Sequence, residues 1–391
     1  MLMIKVFLPW LLLLSTASGL WAQQDAATDV NEKYRISVLT CGTGDELYAS
    51  FGHTAVRIID SVGGTDIVYN YGTFDFNDPD FYTKFTLGKL LYFLDAEDYD
   101  RFLYSYAREG RRVTEQVLHL DAAGNQKIRM FLQTNLQPAN RAYRYDFLFD
   151  NCATRVRDIF PATLDTAFHF GPVLGKKRLR YREVIDQYLA EKPWQRLGID
   201  IILGSPVDAL MDDLHSMFLP DYLYNGLQHA RYRGQPFVTS QVLLQEKAAA
   251  PAAAINAPFL VFLLLCLLVL AVHFIPVLSP YRKALNAVIL FITGLIGVQL
   301  LFMWFFTNHQ SCAYNWNILW AMPLNAFIVF TKGKRLRKYY FLYAMGGLIA
   351  ALLVHFLGVQ QLPLKEIGPL FAALLVIYGY DIKDSIIANE T

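Results

Sequence analysis

Cysteine is scarce in this chain: four in 391 residues, too few for a disulfide framework. An excess of charge is missing as well. Lys and Arg number 35 against 34 Asp and Glu, a net charge of +1, and no basic, aromatic-interleaved surface stands out. A nucleic-acid partner is therefore not expected. There is no Gly-rich nucleotide loop, and the histidines lack ligand spacing, so neither a metal nor any other cofactor is expected. No internal repeat is visible. Beyond residue 257 charge itself becomes rare and long apolar runs take over.

What is present divides the chain. Residues 1–22 read as a secretory signal: Lys5 is the positive end, 6–14 the apolar run, and Ala17, Gly19 and Ala22 are small residues suited to cleavage. An uncleaved anchor helix is the alternative, and either reading sets the next segment outside the cytoplasm. Residues 32–246 mix charged, aromatic and turn residues as a globular domain does. Residues 247–257 form an Ala/Pro linker. Residues 258–381 hold five expected spans, 258–277, 285–306, 314–331, 339–358 and 367–380, with Pro323 kinking the third, and 382–391 form a tail. Arg282 and Lys283 sit in one connecting loop, and Lys332, Lys334, Arg335, Arg337 and Lys338 in another, whereas the loops on the opposite side carry only Lys365. The basic loops, and with them the C-terminus, are expected to be cytoplasmic.

In the globular domain, 35–40, 54–60, 67–71 and 114–120 read as strands, with Gly63-Gly64 as a hairpin turn. Segments 98–109, 123–133 and 151–160 read as helices. Strands and helices mixed without βαβ periodicity predict an α+β fold followed by an all-α transmembrane bundle. His53 opens the second strand. Asn151 is an expected N-cap, which leaves Cys152 on the first turn of a helix. A thiol there feels the positive end of the helix dipole, and an imidazole beside it makes an activated nucleophile. A Cys41–Cys152 disulfide is the competing reading, while Cys266 in an apolar run is inert. Pairing across the hairpin brings Asn70 or Tyr71 near His53, so Asn70 is the candidate to orient the imidazole. The Cys152 N–H is one expected oxyanion donor, and Tyr48 is a candidate for another. Arg155 and Arg57 are candidates to grip a lipid phosphate, against the plainer reading of salt-bridged side chains, with Asp158 a partner for Arg155. The basic run Lys176, Lys177, Arg178, Arg180 and Arg182 is either a headgroup contact or a solvated face. The uncharged, amide-rich stretch 308–317, with His309, is expected either to line a cavity or to anchor at the interface through Tyr314 and Trp316.

A strand histidine that precedes an Asn-Cys helix start resembles the circularly permuted, papain-like NlpC group, which includes lecithin:retinol acyltransferase-like enzymes. A fuller likeness lies in 41–58 (CGTGDELYASFGHTAVRI), 68–76 (VYNYGTFDF), 145–158 (YDFLFDNCATRVRD), 204–213 (GSPVDALMDD) and 218–223 (FLPDYL), followed by a multi-span bundle. These runs resemble the Lnb lipoprotein N-acyltransferase family of Bacteroidota. The resemblance implies a permuted papain-like periplasmic domain on an inner-membrane, multi-pass anchor. It further implies a phospholipid acyl donor, a lipoprotein acceptor with a free α-amine, and a thioester on Cys152 with His53 as base. Two other classes use the same features: a cell-wall amidase or peptidase with the same dyad, and a non-catalytic membrane scaffold.

Overall fold

The computed structural model describes residues 33–246 and 254–390. The expected signal and most of the expected linker lie outside them. The globular domain is built on a seven-stranded antiparallel sheet. Its strands are β1 (Tyr34–Cys41), β2 (His53–Asp60), β3 (Thr65–Thr73), β4 (Leu91–Asp98), β5 (Val113–Leu118), β6 (Ala142–Arg144) and β10 (Val238–Gln245), in the order β10-β5-β1-β2-β3-β4-β6. Three two-residue strands, β7 (Phe168–His169), β8 (Arg231–Tyr232) and β9 (Gln235–Pro236), form a separate small sheet. The β2–β3 hairpin closes where expected. The Asp60 carboxylate accepts the N–H groups of Val62 and Gly63, and Gly64 takes a positive φ of 65°.

Strand alternation sends the two halves of each strand's side chains to different layers. Ile36, Val38, Val56, Ile58, Tyr69 and Tyr71 pack into one core with Ile128 and Leu132 of α3 (Ala122–Leu136) and Val156, Ile159 and Phe160 of α4 (Cys152–Leu164). Leu39, Cys41, Ala55 and Val68 face the other way, onto Phe102 and Tyr106 of α2 (Tyr99–Arg108). The expected strands and helices are all present to within a few residues. β4, β6 and β10 of the main sheet lie outside those expectations: β4 runs directly into α2, β6 is only three residues long, and β10 is mostly exposed at the sheet edge.

The membrane-directed part contains α9 (Ala257–Phe274), α10 (Arg282–Phe306) and α12 (Lys334–Phe356), the three helices among the described residues that are long and apolar enough to cross a bilayer. A further 27-residue helix, α13 (Leu364–Glu390), runs unbroken through the expected fifth span and most of the expected tail. The expected third span is not a helix. Residues 314–331 make a 3-10 turn at Trp316–Leu319, pass Pro323, and form only the short α11 (Asn325–Ile328). Irregular backbone at membrane depth must be buried in protein. Glycines provide that burial, since a Cβ at Gly297 of α10 would collide with the Ala321 carbonyl, and one at Gly347 of α12 with that of Leu319. Asn325 is satisfied by Tyr340, Tyr378 and Thr293.

The sheet domain and the bundle join through α5 (Tyr181–Tyr188), α6 (Pro193–Ile202) and the amide-rich stretch 308–317. Asn315 donates to the carbonyls of Ile201 and Ile202, and Gly204 donates to Ser311. Arg182 corrects the headgroup reading of the basic run. It is fully buried, bonded to Asp200 and Asp208 and to the carbonyls of Leu203 and Gly204. Asp208 also accepts from the backbone of Gln361, after α12. Lys176, Lys177 and Arg178 are exposed. Both α10 and α12 begin with their basic residues at the end away from the sheet domain.

Candidate active site

Cys152 is the first residue of α4. Asn151 caps the helix, its Oδ1 accepting from the N–H groups of Ala153 (2.8 Å) and Thr154 (2.9 Å), while Thr154 Oγ1 accepts the Asn151 N–H in return. The Asn151 Nδ2 donates to the carbonyls of Phe147 and Phe218, so the cap is itself anchored at two points. This cap leaves the Cys152 N–H unclaimed by Asn151 and fixes the thiol at the positive end of the helix.

His53 is aimed by the turn before it. Gly52 takes φ +78°, and a Cβ there would stand 2.6 Å from the Cys41 carbonyl oxygen, so only glycine fits. Lys192 ties the preceding loop by donating to the Gly44 and Asp45 carbonyls and to Ser50 Oγ. The β2–β3 register pairs Val56 with Tyr69. Continued inward, it sets Asn70 opposite Ala55, on the same sheet face as His53 and one pair away. Tyr71 points to the opposite face and packs on Tyr143. The geometry therefore selects Asn70 over Tyr71: Asn70 Oδ1 hydrogen-bonds His53 Nε2.

A residue absent from the sequence reading extends this chain. Asn70 Nδ2 donates to Glu97 Oε1 at 3.1 Å. A carboxylate only accepts, so the Asn70 amide must turn its NH2 to Glu97 and its oxygen to His53. His53 Nε2 then carries the hydrogen, and the other ring nitrogen is left for Cys152. Glu97 lies on β4, a strand outside the sequence expectations, where it pairs with Val68 of β3. The only signal for it was its place across from β3.

Electrostatics favour a charged pair. Burial pushes the Cys152 thiol up, but the charge and hydrogen bond of His53, with the N–H groups of Thr54 and Ala153, more than offset this and leave it below the ordinary thiol value. Burial pushes His53 down, and the Cys152 thiolate and Asn70 outweigh it, so its pKa is raised. A helix terminus alone contributes about 0.3–1 kcal/mol, less than the ~1.4 kcal/mol of one pKa unit. His53 is thus the larger influence. All four cysteines are free, so the Cys41–Cys152 disulfide is not formed. Cys41 is paired across the sheet with His53, and burial pushes it up to about 12.

A cavity of about 400 Å³ opens onto Cys152 and His53. Its walls are mostly apolar, including Phe51, Phe74, Phe85, Tyr92 and Tyr145. Tyr48, 71% exposed, stands at its rim. From the bundle side Asn308, His309, Ser311 and Cys312 complete the wall, so the stretch 308–317 both lines a cavity and joins the domains. His309 Nε2 contacts the Phe85 carbonyl at 3.1 Å. Neither expected phosphate-gripping arginine lines this space. Arg155 is held by Asp150, not Asp158, and lies over the Tyr143 ring. Arg57 is buried between Asp66 and Glu115 and stacks on Tyr99 at 3.3 Å. Both guanidinium groups are already paired, Arg57 in the interior and Arg155 half-buried. Tyr145 was missed by the sequence reading; burial pushes its phenol well up, and the nearby Cys152 thiolate pushes the same way, so it stays protonated as a donor.

Comparison with known families agrees with this layout. Residues 22–184 match the Lnb N-terminal periplasmic domain, and residues 251–386 match the Lnb transmembrane domain. No match is found among curated proteins or solved structures. An α+β periplasmic domain carrying the Cys152–His53–Asn70 cluster, followed by the matching helical membrane domain, places this chain in the Lnb family.

Proposed function

We propose that the protein is an inner-membrane thiol acyltransferase that moves an acyl chain from a phospholipid to the N-terminal amine of a diacylglyceryl-cysteine lipoprotein. The observation that carries this reading is a thiol below its ordinary pKa at the base of an apolar cavity whose far wall belongs to the membrane bundle. The apolar lining suits an acyl chain, and the bundle wall keeps it next to the bilayer that supplies the donor.

The chemistry follows from the resting charges. The Cys152 thiolate attacks the donor's ester carbonyl. The tetrahedral oxyanion takes hydrogen bonds from the Cys152 N–H and from Tyr145, with Tyr48 at the rim as a further donor. On collapse the C–O bond breaks, and the His53 imidazolium protonates the departing lyso-lipid oxygen. A thioester and a neutral imidazole remain. The acceptor's neutral α-amine then attacks the thioester, His53 takes the nitrogen's proton, and the C–S bond breaks. An amide leaves, and thiolate and imidazolium are restored. His309, on the bundle side of the cavity, would meet the donor's polar part.

Intact-protein mass spectrometry after incubation with phospholipid tests this. An acyl adduct on Cys152 that neutral hydroxylamine removes is expected, and lipoprotein amine should discharge it. Cleavage of peptidoglycan with no adduct would instead assign the dyad to a cell-wall amidase, and an unreactive thiol would leave a scaffold.

A further inference from the structure

We infer that the short helix α1 (Phe81–Thr86) and the aromatic turn before it dip into the outer leaflet of the bilayer and form the side door through which the lipid donor enters. This rests on the acyl-transfer reading above, but its central observation is independent of it. Phe74, Phe76, Phe81, Tyr82 and Phe85 fall within twelve residues and touch one another ring to ring. Yet Phe76, Tyr82 and Phe85 are 68%, 81% and 51% exposed. A contiguous aromatic surface of this kind marks a contact with something other than water.

The structure identifies the occupant by position. The end of α1 is tied to the bundle: Leu87 O accepts the Asn308 N–H at 2.9 Å, and Phe85 O contacts His309. Gly88 lies so close that a Cβ there would stand 3.2 Å from the backbone of Asn308 and His309. Asn308 is two residues past the end of α10, whose last residues Phe305 and Phe306 project outward at 63% and 70% exposure. These are lipid-facing positions of a membrane helix, so α1 sits at the level where the bundle leaves the hydrocarbon. Tyr82 and Phe85 share one helix face by their i, i+3 spacing. Lys84, paired with Asp78 at 2.8 Å, has a long apolar stem that lets its charge stay at the headgroups. The same segment also faces inward, because Phe74, Phe85 and Gly88 line the cavity that holds Cys152. One wall thus has lipid outside and the nucleophile inside.

Two measurements on the full-length protein in phospholipid vesicles decide this. First, Tyr82→Cys in a Cys152→Ala background is labelled with an environment-sensitive fluorophore. Blue-shifted emission, quenched by nitroxide-bearing lipid, is expected; water-like emission without quenching overturns the proposal. Second, Phe76→Ser with Tyr82→Ser changes two aromatics that do not line the cavity. Acylation of Cys152 by bilayer phospholipid should fall at least about tenfold as the apolar anchor is lost, while acylation by water-soluble p-nitrophenyl butyrate stays within about twofold. Equal loss with both donors means the segment only shapes the site, and no loss with either means it does not meet lipid; each result overturns the proposal. If the wild type takes no acyl group from phospholipid, the acyl-transfer reading fails, and the fluorescence measurement still decides the insertion.

Discussion

Cys152 and Cys312 face the same cavity, one from the sheet domain and one from the turn after α10. Both are nearly closed to water, at 9% and 4% exposure. Burial raises a thiol's pKa, and at Cys312 nothing opposes it: the Asp146 carboxylate pushes the same way, and the thiol reaches about 12. At Cys152 the same penalty is outweighed by His53 and by two backbone N–H groups. A shared, largely apolar cavity therefore holds one thiol shifted down and one pushed up. The difference comes from what each sulfur touches, not from how deep it lies.

Removing His53 should make Cys152 behave like Cys312. With His53→Ala the thiol loses its main stabilising charge, so its pKa rises and the thiolate disappears at neutral pH. In the wild type His53 lowers the Cys152 thiol and Cys152 in turn raises His53, so each group favours the charged form of the other. Wild-type alkylation by iodoacetamide should extend well below the free-thiol value of about 8.5. In His53→Ala that acidic limb should vanish, and acyl transfer should fall by about 10²–10⁴-fold. A variant that alkylates at pH 6 as fast as the wild type would show that His53 is not what activates the thiol. Cys312→Ala should leave the pH profile where it is.

A second, smaller effect concerns Tyr145, which lines the cavity and senses the Cys152 thiolate. Tyr145→Phe keeps the ring that stacks on Tyr92 at 4.5 Å and removes only the donor. Turnover should drop about 10²-fold as one oxyanion donor is lost, with thiol alkylation unchanged. If turnover and alkylation fall together, the phenol sets the resting thiolate and is not an oxyanion donor.

Much of this arrangement was legible in the chain. His53 at a strand start, Asn151 before a first-turn cysteine and the Gly63-Gly64 hairpin each follow from local rules, and the hairpin register then reaches Asn70. What was not legible depends on partners distant in sequence. For Arg155 and Arg57 the choice between a phosphate grip and a salt bridge stays open until Asp150, Asp66 and Glu115 are seen beside them. Arg182 read as one of a basic run, yet its neighbours turn inward and outward differently, and it alone is buried with two carboxylates. Residues 314–331 are apolar enough for a span, but the glycines that accept their broken backbone lie on α10 and α12. Hydropathy does not register that fit.

The smallest effect tests the outermost member of the Cys152 chain, which has no counterpart at Cys312. Glu97 touches neither thiol nor imidazole; it bonds Asn70 Nδ2, and as an obligate acceptor it forbids the flipped amide. Glu97→Gln keeps the size and a possible hydrogen bond, but its amide can donate as well as accept. Asn70 is then free to present NH2 to His53, which reverses the tautomer and turns the ring's lone pair away from the thiol. A charge-assisted bond exceeds a neutral one by about 1 kcal/mol, so kcat/KM should fall about fivefold. The acidic limb of the alkylation profile should also move upward, because imidazolium loses part of its support. Thermal unfolding should be nearly unchanged, which separates positioning from folding. In an Asn70→Ala background the same Glu97→Gln change should do nothing further, since the link that transmits it is gone. An equal fivefold loss with and without Asn70 would place the effect of Glu97 somewhere other than this relay.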